Sequence, residues 1–105
     1  KIVNGYDHNF VLRGNGMKLA AEVYDPKTGR VMQTYTDKPG VQLYTANFLD
    51  GIDVGKGGIP MKCRHALCLE TQFFPDSVNQ PCFPSPFFKA GQEYHYTTIY
   101  QFSVK

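Results

Sequence analysis

At 105 residues the chain has length for one domain and no more. Its 42% hydrophobic and 19% charged content excludes an intrinsically disordered polymer. A net charge of +2, with the basic residues scattered, excludes the basic stripe that nucleic acid or an anionic membrane would need. No apolar run approaches a membrane span, so no membrane partner is expected. The opening Lys1-Ile2-Val3-Asn4-Gly5 lacks the apolar core of a secretory signal. Cys63, Cys68 and Cys82 make an odd count, which fits reduced thiols, and a cytoplasmic location is expected.

Taken in chain order, short runs of β-branched and aromatic residues alternate with Gly, Pro, Asn and Asp, and helix signals are nearly absent. Asp7-His8-Asn9 reads either as a turn, since Asp and Asn bond their own backbone, or as a loop-end carboxylate for a polar ligand. Strands are predicted over 10–12, 17–24 and 30–36. Asp25-Pro26-Lys27-Thr28-Gly29 turns the second of these into the third as a hairpin, because Pro presets φ and Gly tolerates positive φ. A fourth strand is predicted over 41–45. Gln42 there points opposite to Val41 and Leu43, as a surface residue or as a pocket amide.

Residues 50–61 read as Gly-rich loop. Gly55-Lys56-Gly57-Gly58 lacks the spacing and the following Ser or Thr of a phosphate loop, so a turn is the better reading and no cofactor is expected. Cys63, His65 and Cys68 are too irregularly spaced for a zinc site, and no metal is expected. In the strand predicted over 67–72, Cys68, Glu70 and Gln72 share one face and Leu67, Leu69 and Thr71 the other. A carboxylate on a half-buried sheet is costly unless paired, bonded or used. Glu70 is therefore either a candidate for chemistry or a solvent-facing residue. Residues 75–86, with four prolines, read as a long ordered connection, and 94–104 as the last strand. The class is all-β and sandwich-like.

The ordered series of motifs resembles the carboxy-terminal third of the aldose 1-epimerases (galactose mutarotases). It comprises Gly5-Tyr6-Asp7-His8-Asn9-Phe10, Thr28-Gly29-Arg30-Val31-Met32 and Pro39-Gly40-Val41-Gln42-Leu43-Tyr44-Thr45-Ala46-Asn47-Phe48-Leu49-Asp50-Gly51. It continues through Cys68-Leu69-Glu70-Thr71-Gln72, Phe74-Pro75-Asp76-Ser77-Val78-Asn79-Gln80-Pro81 and Ala90-Gly91-Gln92-Glu93-Tyr94. The resemblance implies an antiparallel β-sandwich of the galactose mutarotase type, of which residues 1–105 would be the C-terminal portion. It implies a hexose partner such as galactose or glucose, whose α and β anomers are interconverted by acid–base ring opening.

In family terms Glu70 matches the general base, Asp7 the carboxylate that holds sugar hydroxyls, and Gln42 a pocket-lining amide. A base of this kind works best when partial burial moves its pKa toward neutrality. The family's acid and a second sugar-binding residue are histidines from an earlier part of the domain. His8, His65 and His95 do not match them, and Met61 and Ala66 also depart from the usual pattern near Glu70. The chain is thus expected to hold the base but not the acid, and to associate with the missing part or with itself. A non-catalytic carbohydrate-binding or truncated module on the same scaffold is the alternative.

Overall fold

The computed structural model describes residues 4–105. Eight strands form two three-stranded antiparallel sheets and a two-stranded ribbon, with two single-turn 3-10 segments. The first sheet has the order β1-β4-β7, from Asp7–Val11, Gly40–Tyr44 and Cys68–Gln72. The second has the order β2-β3-β8, from Lys18–Tyr24, Arg30–Thr36 and Thr98–Val104. The ribbon pairs β5, Asp50–Val54, with β6, Pro60–Lys62. The all-β, antiparallel reading of the sequence holds.

The β2–β3 hairpin forms where the turn chemistry predicts it. Asp25 N–H donates to the Arg30 carbonyl at 2.9 Å and Gly29 N–H to the Asp25 carbonyl at 2.8 Å. The Asp25 carboxylate accepts from Lys27 N–H at 3.1 Å and from the Thr28 hydroxyl at 2.7 Å. Gly29 sits at φ +73°, and a Cβ there would lie 2.7 Å from the Lys105 carbonyl oxygen, so both conformation and space demand glycine.

The two sheets meet along their edge strands β7 and β8. The Tyr100 hydroxyl donates to the Leu69 carbonyl at 2.8 Å, and the Thr71 and Thr98 hydroxyls share a hydrogen bond of 2.5 Å. Among the described residues Val31, Val41, Ala46 and Leu69 are the buried apolar side chains, and Thr34 and Thr36 are fully enclosed. This is a small core for so many large apolar side chains: Phe48, Ile52, Phe87, Phe102 and Val104 are each more than 60% exposed.

Three sequence expectations are corrected. The Gly-rich stretch 50–61 is a β-ribbon, closed by Gly55 N–H donating to the Ile59 carbonyl at 2.9 Å, because positive-φ glycines turn the chain sharply enough to pair its flanks. Asp7-His8-Asn9 lies within β1, where strand pairing overrides the local turn preference. The last strand begins at Thr98, four residues later than its alternation suggests. Side chains take over before that point: the Asp37 carboxylate accepts from Thr97 N–H at 3.0 Å, and the Thr36 hydroxyl donates to the Thr97 carbonyl at 3.2 Å. Tyr94 and Tyr96 instead turn toward Lys38. Its ammonium lies 3.7 Å from the Tyr96 ring centre, 4.5 Å from that of Tyr94 and 4.3 Å from that of Phe73, and it donates to the Tyr94 hydroxyl.

Candidate active site

The register of the first sheet decides which polar residues meet. Asn9, Gln42 and Glu70 stand in one row across β1, β4 and β7; Asp7, Tyr44 and Cys68 form the row on one side, and Val11, Gly40 and Gln72 the row on the other. Because side chains alternate along each strand, all nine positions project from the same face. The opposite face carries His8, Phe10, Val41, Leu43, Leu69 and Thr71. Leu69 and Val41 are buried while Glu70 is exposed, so on β4 and β7 the pattern read from the sequence separates core from surface; on β1 the order differs, with His8 and Phe10 exposed and Asp7 and Asn9 half-buried.

On the open face the side chains form a connected network. Gln42 Nε2 donates to Asp7 Oδ1 at 2.8 Å. Gln72 Nε2 donates to both Gln42 Oε1 and Asn9 Oδ1, each at 3.1 Å. Two hydrogens on Gln72 are thereby committed, which fixes the orientation of the Gln42 amide toward Asp7 and leaves the Asn9 amide nitrogen facing outward. Asp7, Asn9, Gln42 and Gln72 are all half-buried. Asp7 and Glu70 belong to strands two apart, about 10 Å across the sheet at ordinary strand spacing. The surface between them is lined by amides, on the scale of a monosaccharide.

The three residues singled out from the sequence, Asp7, Gln42 and Glu70, therefore come together on one sheet face. Asn9 and Gln72 join them. The sequence carried a signal for both, since each lies two positions from a named residue on its own strand, but cross-strand register was needed to bring them into one network. Partial burial of Glu70 is not found: among the described residues Glu70 is exposed. His8 projects from the face opposite to Asp7, and its Nδ1 accepts from Asp7 N–H at 3.0 Å, so it faces away from the network.

A cleft of about 470 Å³ opens beside the network and not on it. Val11, Phe73, Phe74 and Tyr96 line its apolar side, and Asn15 and Asp37 are among its polar groups. None of Asp7, Gln42 or Glu70 reaches it. The polar face is a shallow, amide-rich surface flanked by an aromatic cleft.

A family model described as aldose 1-epimerase matches residues 1–101. The chain belongs to the aldose 1-epimerase family. It is 52% identical over 103 residues to galactose mutarotase of Bos taurus and 50% identical over 103 residues to galactose mutarotase of Homo sapiens, in each case across 97% of this chain. It is 41% identical over 104 residues to aldose 1-epimerase of Escherichia coli (strain K12), across 95% of this chain. In all three comparisons the match spans 30% of the relative's length. The chain thus carries a portion of a family domain, and that portion includes the polar face described above. The three cysteines are free and exposed, and among the described residues no helix is long and apolar enough to cross a membrane.

Proposed function

We propose that this chain carries the base-bearing side of an aldose 1-epimerase site that interconverts the α and β anomers of free hexoses such as galactose and glucose. The observation that carries this reading is the shared face of Glu70, Gln42 and Asp7: Gln42 stands opposite Glu70 in register, and its amide donates to Asp7 in the neighbouring row. A sugar is a dense array of hydroxyls. A surface of two carboxylates and three amides offers acceptors and donors at the spacing such a ligand needs.

Glu70 acts as the general base and takes the proton of the anomeric hydroxyl. As the anomeric C–O double bond forms, the bond from the anomeric carbon to the ring oxygen breaks and its electron pair goes to that oxygen, which an acid protonates. The aldehyde turns about the bond to its neighbouring carbon. Ring closure on the other face returns both protons and yields the opposite anomer, so the reaction is balanced without a cofactor. Asp7 accepts hydrogen bonds from sugar hydroxyls, and Gln42 both orients Asp7 and offers its remaining N–H.

His8 lies on the face opposite to the network, and among the described residues neither His65 nor His95 hydrogen-bonds to its side chains; in this reading the acid comes from outside the chain, in family terms as a histidine of the remaining domain. That remaining part also covers the open face, giving Glu70 the desolvation that a base near neutrality requires. The outer edges of β1 and β2 and the exposed apolar residues are its docking surfaces, or those of a second copy of the chain. The free thiols accord with a cytoplasmic setting.

Polarimetry of freshly dissolved α-D-galactose tests the proposal. The chain alone is expected to accelerate mutarotation weakly or not at all, and the chain together with the remainder of the family domain to accelerate it strongly. Glu70→Gln in that full assembly should lower turnover by about 10²- to 10⁴-fold. Unchanged turnover in Glu70→Gln would remove the base assignment.

A further inference from the structure

The polar face ends in an aromatic ring whose position depends on a glycine. Gly40, in the row beside Gln42, is buried, and a Cβ built on it would lie 2.6 Å from Asn9 Oδ1 and 3.0 Å from Phe74 Cδ1. The missing side chain leaves a notch in which the Asn9 amide and the edge of the Phe74 ring lie next to each other, on the same face as Gln42. Phe74 is two residues beyond Gln72 and also lines the neighbouring cleft, so it stands between the cleft and the hydrogen-bonding network.

The proline-rich connection braces this ring. The Phe74 carbonyl accepts from Ser77 N–H at 3.1 Å and from the Ser77 hydroxyl at 2.6 Å. Asp76, in the left-handed region at φ 62°, accepts from Asn79 at 2.6 Å and from Gln80 at 2.9 Å. Phe83 N–H donates to the Gln80 carbonyl at 3.0 Å, which returns the chain so that the Phe83 ring meets that of Phe74 edge-on, with centroids 5.2 Å apart and planes at 81°. A loop with this many internal bonds holds its aromatic pair in one place.

We propose that Phe74 is the wall against which the C–H face of the bound hexose packs, and that Gly40 and Phe83 are positioning residues for that wall. The proposal rests on the reading of the polar face as a hexose site. A pyranose has two kinds of surface: a rim of hydroxyls, which the amides and carboxylates meet, and a patch of ring C–H groups, which hydrogen bonds cannot recognise. An aromatic ring beside the hydrogen-bonding network supplies the apolar contact that such a ligand requires, as binding sites commonly combine a few polar groups with an aromatic surface. Contact with the C–H face is the same in the closed ring before and after reaction, so the wall contributes uniform binding and little to the chemical step.

The test is steady-state kinetics on the natural full-length chain bearing these residues, with D-galactose affinity also read by saturation-transfer NMR so that binding is measured independently of turnover. Phe74→Leu should raise KM about five- to tenfold with kcat within about twofold, Phe74→Trp should restore a KM near the parent value, and Gly40→Ala should raise KM by crowding Asn9 and Phe74. Unchanged KM and affinity in Phe74→Leu, or a fall in kcat alone, would overturn the wall. Where Phe74→Leu does not fold, as judged by its urea midpoint, Phe83→Leu decides: it should raise KM about threefold, and an unchanged KM rejects the proposal. Glu70→Gln is run in parallel. Loss of turnover without loss of galactose affinity there upholds the base, so the two ideas fail separately.

Discussion

Gln42 stands directly opposite Glu70 in the β4–β7 ladder while its amide nitrogen donates to Asp7 at 2.8 Å on the far side. One residue on the central strand thus links the carboxylate of β1 to the row that holds the carboxylate of β7. Gln72 accounts for the amide's orientation, since its donation to Gln42 Oε1 points the Gln42 nitrogen at Asp7. The network orders itself before any ligand arrives, which lowers the ordering cost of binding.

Gln42→Leu removes the donor to Asp7 and the acceptor for Gln72 together. A hydrogen bond to a charged group is worth about 1.5–3 kcal/mol, so kcat/KM for galactose in the full-length protein should fall about 10- to 100-fold. Gln42→Glu, which cannot donate and places a second negative charge beside Asp7, should do at least as badly. A loss smaller than threefold in both would show that the amide has no part in holding substrate.

The two enclosed threonines of β3 should respond in opposite ways. Among the described residues the Thr34 hydroxyl is buried without a hydrogen-bond partner, so Thr34→Val should leave stability unchanged or raise it by about 1 kcal/mol. Thr36 donates to the Thr97 carbonyl and accepts from Lys38 N–H at 3.1 Å, so Thr36→Val should cost about 1–3 kcal/mol. Urea unfolding of the two variants gives the comparison, and equal midpoints would contradict it.

Lys38 should prove structural and not catalytic. It is 7% exposed, and its ammonium is enclosed by Phe73, Tyr94 and Tyr96. Replacing it with Ala empties the cage and should destabilise the chain by about 2 kcal/mol or more. Lys38→Arg, which keeps charge and stacking, should recover part of that loss. Thermal melts measure both, and a melting temperature unchanged in Lys38→Ala would rule the cage out as a stabilising feature.

Stability should decline in acid, with the sign set by three surface carboxylates held below the usual range. The Lys105 ammonium and then the Gln33 amide lower Glu22, the Thr28 hydroxyl and Lys27 N–H lower Asp25, and the Gln80 and Asn79 amides lower Asp76. Each binds its proton more weakly when folded, so the unfolded chain takes up more protons as pH falls. Their contribution is fully present above about pH 4–5, near the unfolded values, and is lost as pH drops through the lower folded ones. Urea midpoints between pH 6 and pH 2.5 should therefore fall most steeply below about pH 4, and less steeply in Asp76→Asn. An identical slope in that variant would count against the Asp76 brace.

The isolated chain should self-associate. Phe48, Ile52, Phe87, Phe102 and Val104 are exposed, and among the described residues no strand pairs with the outer edges of β1 and β2. Sedimentation should show concentration-dependent assembly, suppressed when the remainder of the family domain is supplied. A discrete monomer over a wide concentration range would mean that these surfaces need no cover.

The sequence by itself determined the strand class, the β2–β3 hairpin and the face on which Glu70 and Gln42 lie. These follow from local chemistry: two-residue alternation sets a face, and Asp-Pro-Lys-Thr-Gly sets a turn, whatever packs around them. Its motifs also carried the family. The limits of local pattern appear at 94–97, where alternation predicts strand but Asp37, Thr36 and the Lys38 cage hold the segment by side-chain contacts from residues about 60 positions away. They appear again at 50–61, where glycine content suggested loop and backbone pairing made a ribbon. Only the tertiary structure decided that Asn9 and Gln72 complete the network and that Phe74 borders it across Gly40. Each of these is a meeting of residues 30 or more positions apart, fixed by which strands pair and in which register, and no local preference encodes that.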